Sequence, residues 1–187
     1  MNILVTYAIP EERVNISFPD CTIRYVETGI GKVNAVLNVA VAIQQSRPDL
    51  IMNVGTAGSS SHPVDTLVLC GRFLDRDMEK VKEFGVAYQH DFTEQLAAIS
   101  LLSHLDYAAV CNTGDSFVTE WIPHADVVDM EAFAIAALCQ RERIPLMSVK
   151  YVTDQVGQNS PKHWQEKLAD ANRGLQNFFD QWRDGLR

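Results

Sequence analysis

Apolar runs of strand length alternate along this chain with stretches of helical period. Residues 2–8 (NILVTYA) form the first apolar run, broken by Pro10, Glu11, Glu12 and Arg13. Residues 21–28 (CTIRYVET) alternate well enough for a second strand. Gly29-Ile30-Gly31-Lys32 then leads into Val33, Val36, Leu37, Ala40, Val41 and Ile43, an apolar stripe that predicts a helix starting near Gly31. Leu50 to Val54 is a continuous apolar strand, as a sheet covered on both faces needs, and it runs on into Gly55-Thr56-Ala57-Gly58. A strand over 66–70 follows. Residues 71–92 are mixed and polar and read as an irregular excursion carrying Met78, Phe84 and Tyr88. Residues 93–104 predict a helix with Thr93 as its N-cap, 107–112 a strand, and 121–126 a loop.

The stretch from Val127 to Gly157 organises the rest. It reads as a strand end, an acidic turn with Asp129 and Glu131 opening a helix, a strand LMSVKYV, and Asp154 closing that strand. In the helix Met130, Phe133, Ala134, Ala137 and Leu138 share a face, and Ile144-Pro145 ends it. Ligands in α/β proteins bind at strand ends, so this layout brings carboxylates to two such ends. A polar loop over 155–162 precedes a last amphipathic helix, roughly 163–182, carrying Trp164, Leu168, Ala171, Leu175 and Phe178 or Phe179.

Composition narrows the partners. The chain has 187 residues, which suits one domain over 1–187, with 47% hydrophobic and 21% charged residues. A net charge of −8 argues against nucleic acid or an anionic membrane as partner. No apolar run approaches a membrane span. The four cysteines form no CxxC pair and read as buried reduced thiols of a cytoplasmic protein. The five histidines show no metal-ligand spacing, so neither a metal nor a cofactor is expected. The turn at Gly29–Lys32 is no phosphate loop, because Val26 and Val33 stand where Gly and Ser or Thr would be needed. By pattern alone Glu12 is a solvated turn residue, and Asp129 a cap or support for the helix that follows it.

Taken together, GIGKVNA, NVGTAGS, TGDSF, VVDMEAFAIA and VKYVTD, in this order, resemble the nucleoside phosphorylase/nucleosidase family. The branch they are most similar to is that of the 5'-methylthioadenosine/S-adenosylhomocysteine nucleosidases. The resemblance implies an α/β fold with a mixed, partly barrel-like central sheet flanked by helices, and a homodimer. It also implies a place in nucleoside metabolism and methionine salvage. Carried over residue by residue, it makes Glu12 the base that activates water and Asp154 the acid that protonates the purine. It sets Thr56, Ala57 and Gly58 beside the nucleoside, Phe117 as the purine shelf, and the backbone of Val118 at the purine edge. Met130 and Glu131 meet the sugar, Trp164 closes the pocket, and Ile30 faces the ligand; Asp129 and Lys150 are further binding positions.

The implied chemistry suits these residue types. Cleaving an N-ribosidic bond passes through an oxocarbenium-like sugar, and the purine leaves more easily once protonated. The acid must therefore carry its proton at the moment of reaction, which asks for burial or a neighbouring acceptor. Glu131, in the first turn of its helix, is expected to have its charge stabilised by that helix's N-terminus. Phosphorylases of the family carry a basic phosphate loop after the first strand, whereas this chain has AIPEERVN there, whose glutamates would repel phosphate. Water is therefore the favoured nucleophile. The alternatives are phosphorolysis, hydrolysis of a futalosine-type nucleoside, and a non-catalytic nucleoside-binding homologue. The chain departs from the family's pattern at Pro10, Asp129, Phe133 and Lys150, and it is shorter before Gly29 and around 71–92.

Overall fold

The computed structural model describes residues 1–118, 120, 122–157 and 160–186, so the expected loops over 121–126 and 155–162 lie partly outside the described residues. Eight strands share one sheet. β1 (Asn2–Tyr7) runs parallel to β2 (Thr22–Glu27) on one side and to β3 (Leu50–Ser59) on the other. Every residue of β3 pairs in parallel with β8 (Leu146–Gln155) or β1, and β3 is buried throughout, which is why its sequence is apolar or small without alternation. β8 continues antiparallel to the first half of β4 (Leu67–Asp75). The second half of β4 pairs with β5 (Gln89–Asp91) and with β6 (Ala109–Thr113). β6 pairs with β7 (Val127–Asp129), and the pair Gly58–Val128 returns β7 to β3. Strands β3, β8, β4, β6 and β7 thus close a ring, with β1 and β2 as an open wing. This is the mixed, partly barrel-like sheet the family resemblance implied.

Helices cover the sheet. They are α1 (Lys32–Gln45), the short α2 (Arg76–Glu79) and α3 (Thr93–Ala97), α4 (Ala132–Glu142) and α5 (Ser160–Gly185). α5 buries Ala171, Leu175, Phe179 and Trp182, close to the stripe read from the sequence. The other helices depart from their expected faces. α1 buries Ala35, Val39, Ala42 and Ile43, while Val33, Leu37 and Val41 stand 66%, 61% and 54% exposed. A helix with two apolar faces cannot announce from its own period which one meets the sheet. α4 buries Ala132, Phe133, Ile135, Ala136 and Cys139, while Ala137 is exposed.

Two further expectations change. The excursion over 71–92 is more ordered than its composition suggests, because β4 extends to Asp75 and Asp75 caps α2 by accepting from the Asp77 and Met78 amides. The helix expected over 93–104 stops at Ala97 and resumes as a 3-10 turn over Ser100–Leu102. Thr93 is no cap: Asp91 Oδ1 accepts from its amide and its hydroxyl at 2.9 and 2.6 Å.

Candidate active site

The two glycines of GTAG each make room for a carboxylate. Pro10–Glu12 winds as a 3-10 turn after β1 and turns Glu12 inward, leaving it 5% exposed. Its Oε1 accepts from the Thr56 amide at 2.8 Å and the Thr56 hydroxyl at 2.7 Å, and its Oε2 from the Ala8 amide at 3.0 Å. The carboxylate lies flat on Gly55, where a Cβ would meet Oε1 at 3.0 Å. Three residues on, a Cβ at Gly58 would meet Asp154 Oδ2 at 3.0 Å. Asp154 reaches that spot through a bulge: Ala57 pairs with Val152 but Gly58 with Asp154, so Thr153 is extra and the strand's side chains are re-aimed. The Thr153 hydroxyl donates to Asp154 Oδ1 at 2.9 Å. At strand rise, three residues separate the two carboxylate seats by roughly 10 Å.

Glu131 lines the same cleft as both carboxylates and is 8% exposed. Its side chain makes no capping bond to α4, the helix whose N-terminus was expected to stabilise its charge. Its Oε1 instead accepts from the Gly31 amide at 2.8 Å, at the head of α1. Asp129 takes the α4 N-terminus, its Oδ2 accepting from the Ala132 amide at 3.0 Å, while its Oδ1 accepts from the Thr113 hydroxyl at 2.6 Å. Lys150 Nζ lies 2.8 Å from Asp129 Oδ2, with both side chains almost wholly buried. Burial and the neighbouring Asp129 push the Glu131 carboxyl up to about 7, against the pull of Lys150. Asp129 is held below the ordinary carboxylate range: burial opposes this, but Lys150 and the hydrogen bonds outweigh it.

Glu12, Glu131 and Asp154 face one cleft of about 780 Å³, part of it open to solvent. Ile30, Thr56, Ala57, Gly58, Phe117, Val118, Asp129, Met130 and Trp164 also line it. Trp164, on α5, donates its indole N–H to the Thr56 hydroxyl at 2.8 Å, so Trp164, Thr56 and Glu12 form one hydrogen-bonded chain. The Phe117 and Trp164 rings meet at 6.4 Å in an edge-on pair that walls one side. Such a cleft, with an aromatic wall and carboxylates at both ends, can hold a planar base and a sugar and move protons at two separated points.

A family model described as the Phosphorylase superfamily matches residues 12–109 and 115–180. The chain belongs to the Phosphorylase superfamily. Among its relatives is a 5'-methylthioadenosine/S-adenosylhomocysteine nucleosidase of Geobacillus thermodenitrificans, 30% identical over 171 residues, which cover 78% of this chain and 72% of the relative. The nucleosidase of the same name from a Marinomonas species is 27% identical over 176 residues, covering 80% and 76%. The solved structure of the S. pneumoniae nucleosidase with a transition-state inhibitor superposes with a TM-score of 0.81 at 23% identity, over 98% of this chain and 99% of that one.

For a Phosphorylase superfamily chain, the site thus gathers every residue singled out from the sequence except Lys150. Lys150 does not line the cleft; it sits behind it and neutralises Asp129. Asp129 reaches the cleft wall, but its side-chain oxygens are engaged by Thr113, Ala132 and Lys150. Ala8, Arg76, Ser116 and Val128 line the cleft and were not singled out. Val128 alternates with the buried Val127 and Asp129 along β7, so its side chain takes the opposite face, against Gly58. Arg76 carried no local signal, since it lay in a stretch without periodicity.

Proposed function

We propose that the protein hydrolyses the N-ribosidic bond of 5'-methylthioadenosine, S-adenosylhomocysteine or a similar 5'-modified nucleoside, releasing adenine. The observation that carries this reading is the pair of buried carboxylates, Glu12 over Gly55 and Asp154 over Gly58, at separate points of one cleft. Glu12 aims and deprotonates the water that attacks the anomeric carbon. Asp154 protonates the departing purine, and Phe117 supports the ring while the Val118 backbone meets its edge. Glu131 accepts from the sugar hydroxyls, with Met130 beneath the ribose. Each positioned acid or base contributes about 10²–10⁴-fold, and holding the sugar in place supplies much of the remainder. The names of the relatives support the substrate class.

Water rather than phosphate is the nucleophile. Among the described lining residues Arg76 is the cation, and its Nη donors are spent on backbone carbonyls, while Glu12 and Glu131 repel an anion. The test is to incubate the protein with methylthioadenosine, S-adenosylhomocysteine, inosine and adenosine, with and without phosphate, and to measure free base. Adenine released from the first two without phosphate is the expected result; release that requires phosphate overturns hydrolysis.

The same reading extends to assembly and setting. The eight-stranded sheet supports treating residues 1–187 as one domain. Exposed Ile30, Val33, Leu37 and Val41 follow one another at helical spacing from the cleft mouth outward, and a second copy of the chain covers this stripe in a homodimer. Sedimentation that finds only monomer at micromolar concentration removes this part. Four free cysteines, three of them buried, suit the reducing cytoplasm, where the reaction belongs to methionine salvage. None of the described helices is long and apolar enough to cross a membrane.

A further inference from the structure

Where β6 and β7 stop pairing, several backbone carbonyls lose their strand partners close to the cleft. One side chain collects them. Arg76 Nη1 donates to the carbonyls of Asn112 at 3.0 Å and Asp129 at 3.2 Å, and Nη2 donates to those of Gly114, at 2.7 Å, and Ser116. The four acceptors come from the end of β6, the end of β7 and the turn that leads to Phe117. Each is a carbonyl rather than a carboxylate, so the arginine acts here as a planar fork of donors more than as a charge partner. The guanidinium packs tightly against Gly114, where a Cβ would meet Nε at 2.5 Å and Cζ at 2.6 Å. Its own backbone is anchored, because Asp75 caps the turn that starts at Arg76 and Lys32 Nζ lies 3.2 Å from Asp75. Arg76 and Ser116 both line the cleft beside Phe117.

We infer that Arg76 is a positioning residue, a clamp that fixes the Gly114–Phe117 turn, and with it the aromatic shelf, against the end of β7. Without the guanidinium, four carbonyls lose a donor at once; among the described residues the turn then keeps the bond from the Gly114 amide to the Asp129 carbonyl at 3.2 Å and the one Asp115 Oδ1 accepts from the Lys32 amide at 2.8 Å, neither of which holds Ser116 or Phe117 directly. The shelf then loosens, and what it supports binds less well. The role in substrate binding rests on the nucleosidase reading above; the clamp itself does not.

Two kinds of measurement separate these. In the first, steady-state kinetics with methylthioadenosine compare the parent with Arg76→Ala, Arg76→Lys, Gly114→Ala and the Arg76→Ala/Gly114→Ala double variant. Arg76→Ala raises KM about tenfold or more, as a misplaced binding wall does, while kcat moves less than about threefold. Sub-denaturing guanidinium restores part of the loss. Arg76→Lys stays impaired, because one ammonium cannot reach four carbonyls as a fork does. Gly114→Ala keeps the arginine but pushes it off its seat, so KM rises again. The double variant is no worse than Arg76→Ala, since the new methyl then has room. An unchanged KM in Arg76→Ala, full activity in Arg76→Lys, or additive losses in the double variant overturns the assignment. In the second, amide hydrogen exchange needs no substrate. Arg76→Ala speeds exchange over residues 112–118 and leaves 50–57 unchanged; equal exchange in both proteins refutes the clamp. If the parent cleaves no nucleoside, the functional reading falls while the exchange result still decides the clamp.

Discussion

Glu131 offers a prediction in which function and stability pull in opposite directions. Its carboxyl titrates at about 7 in the fold, against an ordinary value of 4.5, because it is buried beside Asp129. Below 4.5 it is protonated in both folded and unfolded chains and costs nothing. As pH rises from 4.5 to 7 the unfolded chain gives up the proton while the folded one keeps it, so stability falls through this window and stays lower above it. Glu131→Gln removes the titration and keeps the oxygen that accepts from the Gly31 amide. The full shift from 4.5 to about 7 is worth at most roughly 3 kcal/mol. The variant is therefore more stable than the parent by roughly 1 kcal/mol at pH 5.5 and roughly 3 kcal/mol at pH 8. At about 2–4 °C per kcal/mol for a chain of this size, Tm at pH 8 rises by roughly 6–12 °C. Thermal unfolding of both proteins at several pH values reads this directly, and nucleoside cleavage by the variant is lost in the same preparation. A pH-independent gap in Tm, or a variant less stable than the parent at pH 8, refutes the argument that Glu131 is held at an energetic disadvantage for the sake of its role.

Asp154→Asn lowers base release about 10²–10⁴-fold while adenine still binds, measured by product formation and by calorimetry; unimpaired turnover takes the acid role away from Asp154. Glu12→Gln falls by a similar factor and keeps at least one of the bonds to Thr56, and activity near the parent's would mean that water is activated elsewhere. Lys150→Met leaves Asp129 buried without its counter-charge and lowers stability by about 3–5 kcal/mol, which Asp129→Asn in the same chain largely restores. Most of the loss is present across neutral pH, and a further part appears above about 7, where Glu131 ionises without the pull of Lys150. Asp129 is depressed below 3.8, so its contribution fades only on acidification, and Lys150 is raised above 10.5, so its contribution fades only in strong alkali. A loss that appears only above pH 7 in chemical denaturation would contradict the pair.

What the sequence determined by itself is what near neighbours decide. β3 is legible because ten consecutive buried positions must be apolar or small, and α5 because its stripe is single-faced. The two glycines three apart in GTAG mark a strand that other groups approach closely, but that those groups are the Glu12 and Asp154 carboxylates was decided by the fold. Tertiary structure decided the rest. Glu12 has the composition of a solvated turn, and Thr56, forty-four residues on, together with the Ala8 amide turns it into a buried acceptor. Asp129 and Glu131 divide their work between α4 and α1 because Gly31, a hundred residues earlier, offers the free amide. Lys150 lies behind the cleft because Asp129 holds it there. Arg76 shows no period and no motif, and it acquires a role only where β6 and β7 end beside it. The physical reason is common to all four: periodicity records which face of an element avoids water, whereas the partner of a polar group is whatever donor or acceptor the closed sheet brings within about 3 Å.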